Sequence, residues 1–180
     1  MFNKPSGYVT AVKDERYPTV MEFFSDLPFS KNLFPVGRLD IDTEGLLIIT
    51  DDGQLAHRVS HPKWNIEKEY YAVVRGDISK IDLSVFEKEG IFLKKDNYKT
   101  KPFKVKILST SKEKSEVFIT VREGKYHIVK KIMEQINHPV IYLKRVRIGT
   151  LSLDDRLESG SFRELTDEEI KKLKRSVSMR

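Results

Sequence analysis

Residues 37 to 45 read Gly37-Arg38-Leu39-Asp40-Ile41-Asp42-Thr43-Glu44-Gly45, three carboxylates, one guanidinium and two glycines in one short stretch. Carboxylates gathered in this way ligate a hard cation, share a proton, or react at carbon. They also form plain turns, for which Asp, Thr and Gly are the usual residues. Calcium is one specific option, because Asp40, Asp42, Glu44, Gly45 and Asp51 fall at positions 1, 3, 5, 6 and 12 of a calcium-binding loop. Against it, position 5 is Glu where Asp or Asn is expected, position 12 is Asp where a bidentate Glu is needed, and Pro35-Val36-Gly37 cannot continue an incoming helix. An aspartic-protease loop fails because Glu44 separates Thr43 from Gly45. An aspartyl-phosphate site fails because Gly37-Arg38-Leu39 is not an apolar strand. His57 and His61 stand one helical turn apart, as zinc ligands can, but Arg58 occupies the metalloprotease Glu position and no third ligand is evident. A solvated helix face accounts for them, and no metal is expected.

The elements around this segment decide what it can present. Leu46-Leu47-Ile48-Ile49 is a continuous apolar run between Gly45 and Asp51-Asp52-Gly53, which predicts a buried strand with Asp40 just before it. Upstream, a strand is predicted over 7–12. A helix opened by Thr19 with Glu22 at capping-box spacing follows and stops by Pro28, and a loop then runs to residue 37. Downstream, the pattern predicts a helix over 54–60, a strand over 70–74 and a helix over 82–89 closed by Gly90. Phe103-Val105-Ile107 and Val117-Ile119-Val121 predict an antiparallel pair across a polar turn at 109–115. Val129, Ile132, Met133 and Ile136 recur at helical spacing, so residues 126–137 form an amphipathic helix, followed by a strand over 140–148. Thr166 and Glu169 open a terminal helix over 166–180 with a frayed tail. Strands and helices intermix without regular alternation, so the fold class is α+β, a mixed, mostly antiparallel sheet flanked by helices.

Composition narrows the chemistry. At 180 residues, 39% hydrophobic, with ten Phe, seven Tyr and one Trp, the chain is expected to fold as one domain over 1–180 or as two lobes dividing near 77–100. The absence of cysteine removes disulfides, thiolate catalysis and cysteine-held metals. A net charge of +6 suits a polyanionic partner. No run reaches the roughly 20 apolar residues of a membrane span, and Met1-Phe2-Asn3-Lys4-Pro5 lacks the apolar centre of a signal peptide, so a cytoplasmic protein is expected.

The stretch over 37–53, GRLDIDTEGLLIITDDG, resembles the central motif of the ribosomal RNA pseudouridine synthases of the small-subunit (RsuA-like) type. In that family Gly-Arg-Leu-Asp precedes Asp-Thr/Ser-x-Gly-Leu and a run into Thr-Asn/Asp-Asp-Gly. The same family carries an early Asn-Lys-Pro-x-Gly, matched by Asn3-Lys4-Pro5-Ser6-Gly7, and a Lys-x-Tyr, matched by Lys68-Glu69-Tyr70. A basic element is matched by Glu123-Gly124-Lys125-Tyr126-His127-Ile128-Val129-Lys130-Lys131-Ile132, with Ile128 where Gln is usual. Leu143-Lys144-Arg145-Val146-Arg147-Ile148-Gly149 and Gly160-Ser161-Phe162-Arg163-Glu164-Leu165-Thr166 complete the match, which covers essentially the whole chain. Members commonly carry a small RNA-binding domain ahead of the Asn-Lys-Pro element. This sequence begins at that element, matching the shorter type or a trimmed chain.

The resemblance implies isomerisation of uridine to pseudouridine in ribosomal RNA, naked or in an assembly intermediate, by a monomer that needs no cofactor. Large-subunit RNA, a non-catalytic RNA-binding module and calcium binding are the alternatives. Asp40 would be the reacting carboxylate. A carboxylate on a dry pocket floor stays ionised only beside a cation, a part that falls to Lys130, brought from ninety residues away. Tyr70 would stack on the uracil, while neighbouring Tyr71, on the opposite face of its strand, reads as core. Arg38 would bind phosphate or splay the target nucleotide, with Lys4, Lys68, His127, Lys131 and Arg145 as further RNA contacts. The stretch containing Lys94, Lys95, Lys99, Lys101, Lys104 and Lys106, with Tyr98 and Phe103, would add a basic surface.

Overall fold

The computed structural model describes residues 1–180. Its elements in chain order are β1 (Phe2–Lys4), β2 (Phe34–Val36), β3 (Glu44–Thr50), α1 (Gly53–Ser60), β4 (Lys68–Arg75), α2 (Ser84–Glu89), β5 (Phe92–Leu93), β6 (Tyr98–Lys99), β7 (Lys104–Thr110), β8 (Lys114–Val121), α3 (Ile128–Gln135), β9 (Val140–Ile148), β10 (Leu151–Ser152) and α4 (Asp167–Ser176). The expected α+β class with a mixed, mostly antiparallel sheet is what the chain adopts. It divides into two compact units, Met1–Ile66 with Arg145–Arg180, and Glu67–Lys144. The division therefore falls elsewhere than 77–100. A cut there would part β4 from β8, which pair without interruption from Lys68↔Val121 to Arg75↔Lys114.

In the first unit the sheet runs β1–β3–β9, with β2 also on β3 and β10 on β9. The apolar run over 46–49 does form a strand, β3, buried from Gly45 to Ile48. The strand expected at 7–12 is absent, and its place is taken by β1, whose Phe2 pairs with Leu47 and is fully buried. Phe2 is fixed by ring contacts to Phe23 and Phe24 at 5.1 and 5.2 Å, and Phe24 in turn meets Phe162 at 4.6 Å. The helix expected after Thr19 is a 3-10 turn, Val20–Phe24, that keeps the capping box. Residues 34–36, read as loop, form β2 against Thr50 to Ile48.

Below this sheet Met1, Val36, Leu46, Ile48, Leu55, Val59, Ile148 and Leu173 make one apolar cluster. Helix α4 closes it through the predicted capping box, Thr166 with Glu169. Glu169 has a second partner that spacing did not suggest. Arg163 grips it with both terminal nitrogens, at 2.8 and 3.0 Å, and donates from Nε to Asp154 at 3.1 Å. The tail is packed down rather than frayed, because Val177 is fully buried and Arg58 donates to the carbonyls of Val177 and Ser178 at 2.8 and 2.7 Å.

In the second unit the order is β9–β4–β8–β7. Alternation along β4 and β8 buries Tyr70, Ala72 and Val74 on one strand and Val117, Ile119 and Val121 on the other, as a half-buried sheet requires. Helix α3 buries Ile128, Val129, Ile132 and Met133 along one stripe. Gly90, at φ +68 after α2, lies so close to Thr100 that a Cβ would sit 2.4 Å from its carbonyl oxygen, so only glycine fits there.

The Arg163 guanidinium beside Glu169 holds that carboxyl down to about 2, below its usual 4.5. A depressed carboxyl stabilises fully above its unfolded value and loses this contribution as pH falls through the folded one. Glu169→Gln is expected to cost about 1 kcal/mol at neutral pH, the upper end for a partly exposed pair. It should also flatten the loss of stability between pH 4.5 and 2, read from urea midpoints across that range.

Candidate active site

The Asp40 segment is a tight loop whose backbone acceptors are taken up by the protein itself. Gly37 and Gly45, at φ +72 and +105, occupy the left-handed region at either end, which glycine reaches without steric cost. Between them the Thr43 amide donates to the Asp40 carbonyl at 3.0 Å, closing a turn, and the Gly7 amide donates to the Ile41 carbonyl at 2.8 Å. Thr10 clamps the other side. Its hydroxyl donates to the Leu39 carbonyl at 2.9 Å and accepts from the Leu39 amide at 3.2 Å. Leu39 is buried beneath, while Asp40 is only partly covered and Arg38 is exposed. Of Asp42, Thr43 and Glu44, Thr43 shapes the presenting loop through its amide and through its carbonyl, which accepts from Lys4.

Lys4 is the largest departure from expectation. It is not an RNA contact but a fully buried residue. Its ammonium donates to the carbonyls of Pro5, Asp40, Ile41 and Thr43 at 3.0, 3.2, 3.2 and 2.7 Å. A buried charge is tolerated only when its protons are matched, and here three N–H groups are shared among four carbonyls. Arg145 is corrected in the same sense. It is 3% exposed, and its Nε donates to the Leu46 carbonyl at 2.9 Å, tying β9 to the strand that follows the loop.

The calcium alternative fails on geometry. Glu44 to Thr50 is extended strand, so Glu44 and Asp51 lie roughly 20 Å apart at about 3.3 Å per residue, whereas calcium ligands converge within about 2.6 Å of one ion. Asp52, next in line, caps α1 by accepting from the Leu55 amide at 3.0 Å.

The second unit carries the other sequence-predicted residues. Lys68 and Tyr70 share one face of β4, with Tyr70 buried and paired opposite Ile119. Tyr71 points to the opposite face as expected, yet it is half-buried rather than core. It contacts Phe118 and Tyr142 and donates its hydroxyl to Glu116. Lys130 lies half-buried on α3, and Lys131 pairs with Asp96 at 2.8 Å. His127 precedes α3 in a left-handed conformation at φ +54. Ile128, in place of the usual Gln, is buried on the apolar stripe of α3.

The basic stretch separates into parts. Phe103 is core, stacked on Phe86 at 5.1 Å, Lys95 pairs with Glu134 at 2.6 Å, and Lys104 and Lys106 are exposed on β7. One buried group escaped the sequence reading. The Glu123 carboxylate accepts from the Tyr98 hydroxyl and the Lys101 amide, both at 2.7 Å, and holds the Tyr98 hydroxyl proton so firmly that its pKa rises to about 12.

Because Lys4→Met takes the ammonium donor from four carbonyls, of which those of Asp40 and Ile41 keep a backbone amide, it should cost about 2–3 kcal/mol in urea unfolding and lower turnover without weakening RNA affinity. Weakened RNA binding at an unchanged unfolding midpoint would return Lys4 to the role of an RNA contact.

Comparison with known proteins agrees with this framework. A family model described as RNA pseudouridylate synthase matches residues 1–135. The chain is 44% identical over 179 residues to an uncharacterized RNA pseudouridine synthase of Aquifex aeolicus, covering 98% of this chain and 71% of that protein. It is 41% identical over 173 residues to the ribosomal small subunit pseudouridine synthase A of Haemophilus influenzae, covering 96% of this chain and 72% of that one. A crystal structure of a pseudouridylate synthase superimposes with a TM-score of 0.87 at 39% identity, over 96% of this chain and 71% of its own. With a family model spanning three quarters of its length and relatives this similar along nearly all of it, the chain belongs to the RNA pseudouridylate synthase family.

Proposed function

We propose that this protein converts one uridine of small-subunit ribosomal RNA into pseudouridine, with Asp40 as the reacting carboxylate. The observation that carries the reading is the Asp40 loop, where the family motif and a rigid presenting geometry coincide in the same residues. The choice of small-subunit RNA rests on relatives such as the Haemophilus influenzae protein, which is named for that activity.

The reaction breaks the bond from ribose C1′ to uracil N1, turns the base and joins C1′ to C5. N1 gains a proton and C5 gives one up, so no oxidant or reductant is consumed. The difficult moment is the interval in which the base is detached. A carboxylate positioned at the sugar or the base makes that interval productive, and a fixed backbone around it keeps the geometry without reorganisation. The loop at 37–45 provides such a carboxylate, since the amides of Gly7 and Thr43, the Thr10 hydroxyl and the Lys4 ammonium hold its backbone in one conformation.

The motif match supplies the remaining roles. Lys130 is the cation assigned to keep the reacting carboxylate ionised, and Tyr70 is the ring assigned to the uracil face. Arg38, exposed beside Asp40, is assigned to the RNA backbone at the target. Drawing a base out of its stack costs a few kcal/mol, which contacts to the flanking strand must offset. Lys68, His127 and Lys131 are the cations assigned to those contacts. The setting is cytoplasmic, the enzyme acts as a monomer, and its RNA is either naked or part of an assembling particle. No helix in the structure is long and apolar enough to cross a membrane.

Incubating the protein with bulk ribosomal RNA from cells lacking the enzyme, then mapping pseudouridine, tests this reading. One new site in small-subunit RNA is expected, formed equally well with a metal chelator present, and Lys130→Met should slow its formation on the order of 10²-fold. No new pseudouridine, or a site confined to large-subunit RNA, would overturn the substrate assignment, and inhibition by the chelator would overturn the metal-free mechanism.

A further inference from the structure

Tyr126 is 70% exposed, although it belongs to a loop that is otherwise firmly fastened. On one side of it, buried Glu123 binds the Tyr98 hydroxyl and the Lys101 amide, and the Lys125 ammonium sits 3.3 Å over the centre of the Tyr98 ring. On the other side, α3 begins at Ile128, and Lys131 is paired with Asp96. Between these anchors the Tyr126 ring lies nearly parallel to the His127 imidazole, with centroids 3.6 Å apart and planes inclined by 19°. The Lys131 ammonium lies 5.5 Å from the centre of the Tyr126 ring.

An aromatic ring standing in water contributes almost nothing to folding, because burial is what makes apolar area stabilising. The left-handed backbone of His127 at φ +54 is also one that non-glycine residues adopt infrequently. The chain nevertheless builds a flat two-ring stack there and leaves most of Tyr126 open. Its own segment is basic. From Arg122 to Lys131 there are four basic residues, Arg122, Lys125, Lys130 and Lys131, and one acid, Glu123, whose carboxylate is already engaged, while Arg122 and Lys131 are paired with Glu67 and Asp96 of other segments. A flat π-face with an ammonium beside it matches a nucleobase with its flanking phosphate. One ring is far too small to anchor a protein interface.

We propose that the Tyr126–His127 stack is a platform for one unpaired base of the RNA, other than the target uridine. The assignment rests on the RNA-modifying reading above and adds a place where single-stranded RNA is recognised through stacking. Glu123 acts as a positioning residue, since it fastens the loop that carries the stack and does not touch the base. Because every base has a π-face, the platform selects for an unstacked nucleotide more than for a particular sequence.

The test uses a short single-stranded oligoribonucleotide carrying one 2-aminopurine, whose fluorescence falls when it stacks on an aromatic ring, and an RNA duplex as the control. The platform predicts quenching by the wild-type chain. Tyr126→Ala should lose the quenching and bind the single strand about 5- to 150-fold more weakly, with duplex affinity unchanged. Tyr126→Phe and Tyr126→Trp should retain both quenching and affinity. Equal affinity and quenching for Tyr126→Ala and the wild type would overturn the proposal. So would an equal loss on single strand and duplex, which would mark a purely electrostatic surface. The stacking signal needs no turnover. A chain that quenched as predicted yet formed no pseudouridine would therefore refute the functional reading while upholding the platform.

Discussion

The arrangement around Asp40 depends on one buried ammonium. Lys4 lies wholly inside the first unit and offers its protons to four backbone carbonyls, three of them from Asp40, Ile41 and Thr43. A turn that must hold a carboxylate for chemistry cannot rely on ladder hydrogen bonds, because it belongs to no sheet there. The amides of Thr43 and Gly7 already reach the Asp40 and Ile41 carbonyls, and Lys4 adds a second donor to both while binding the Thr43 carbonyl. A lysine supplies several donors from one point, which suits carbonyls converging from a turn better than a planar fork would. The chain thereby turns a charge that is costly to bury into the fastening of its most chemically loaded segment.

The second unit solves a related problem with the opposite charge. Glu123 lies two residues past the end of β8, and its carboxylate gathers the Tyr98 hydroxyl and the Lys101 amide. Both loops are therefore held by a buried or nearly buried ion that gathers backbone or hydroxyl groups, and the residues they display need not contribute to stability. Asp40, Arg38 and Tyr126 are the residues proposed for reaction and recognition, while Lys4, Thr10 and Glu123 supply the framework. This is the division of labour expected where precise geometry must coexist with groups that fold unfavourably.

How much of this could be read from sequence depended on whether the determining contact is local. The apolar run of β3, the period of α3 and the alternation of β9 each carry their own signal, and Val140–Ile148 is placed residue for residue. The capping box of α4 is equally local. Strands β1 and β2, three residues each, carry no period of their own and exist only because β3 pairs with both. Lys4 and Arg145 looked like surface cations because most lysines and arginines are. Their partners lie some 40 residues away for Lys4, at Asp40 to Thr43, and at Leu46 for Arg145, so only the folded chain shows that they are structural. The position of Asp40 before a buried strand was legible. The carbonyl scaffold that fixes it was not, because backbone acceptors leave no trace in residue types.

The central claim is that a carboxylate, held in place by the loop, carries the isomerisation. It is tested most directly with ribosomal RNA tritiated at uracil C5, since joining C1′ to C5 must expel that hydrogen. Tritium release is followed for the wild-type chain and for Asp40→Asn, which keeps the shape of the side chain and removes its charge, with urea midpoints confirming that both are folded. The account predicts release matched to pseudouridine formed with the wild type and none above background with Asp40→Asn. Release at the wild-type rate by a folded Asp40→Asn protein would contradict it.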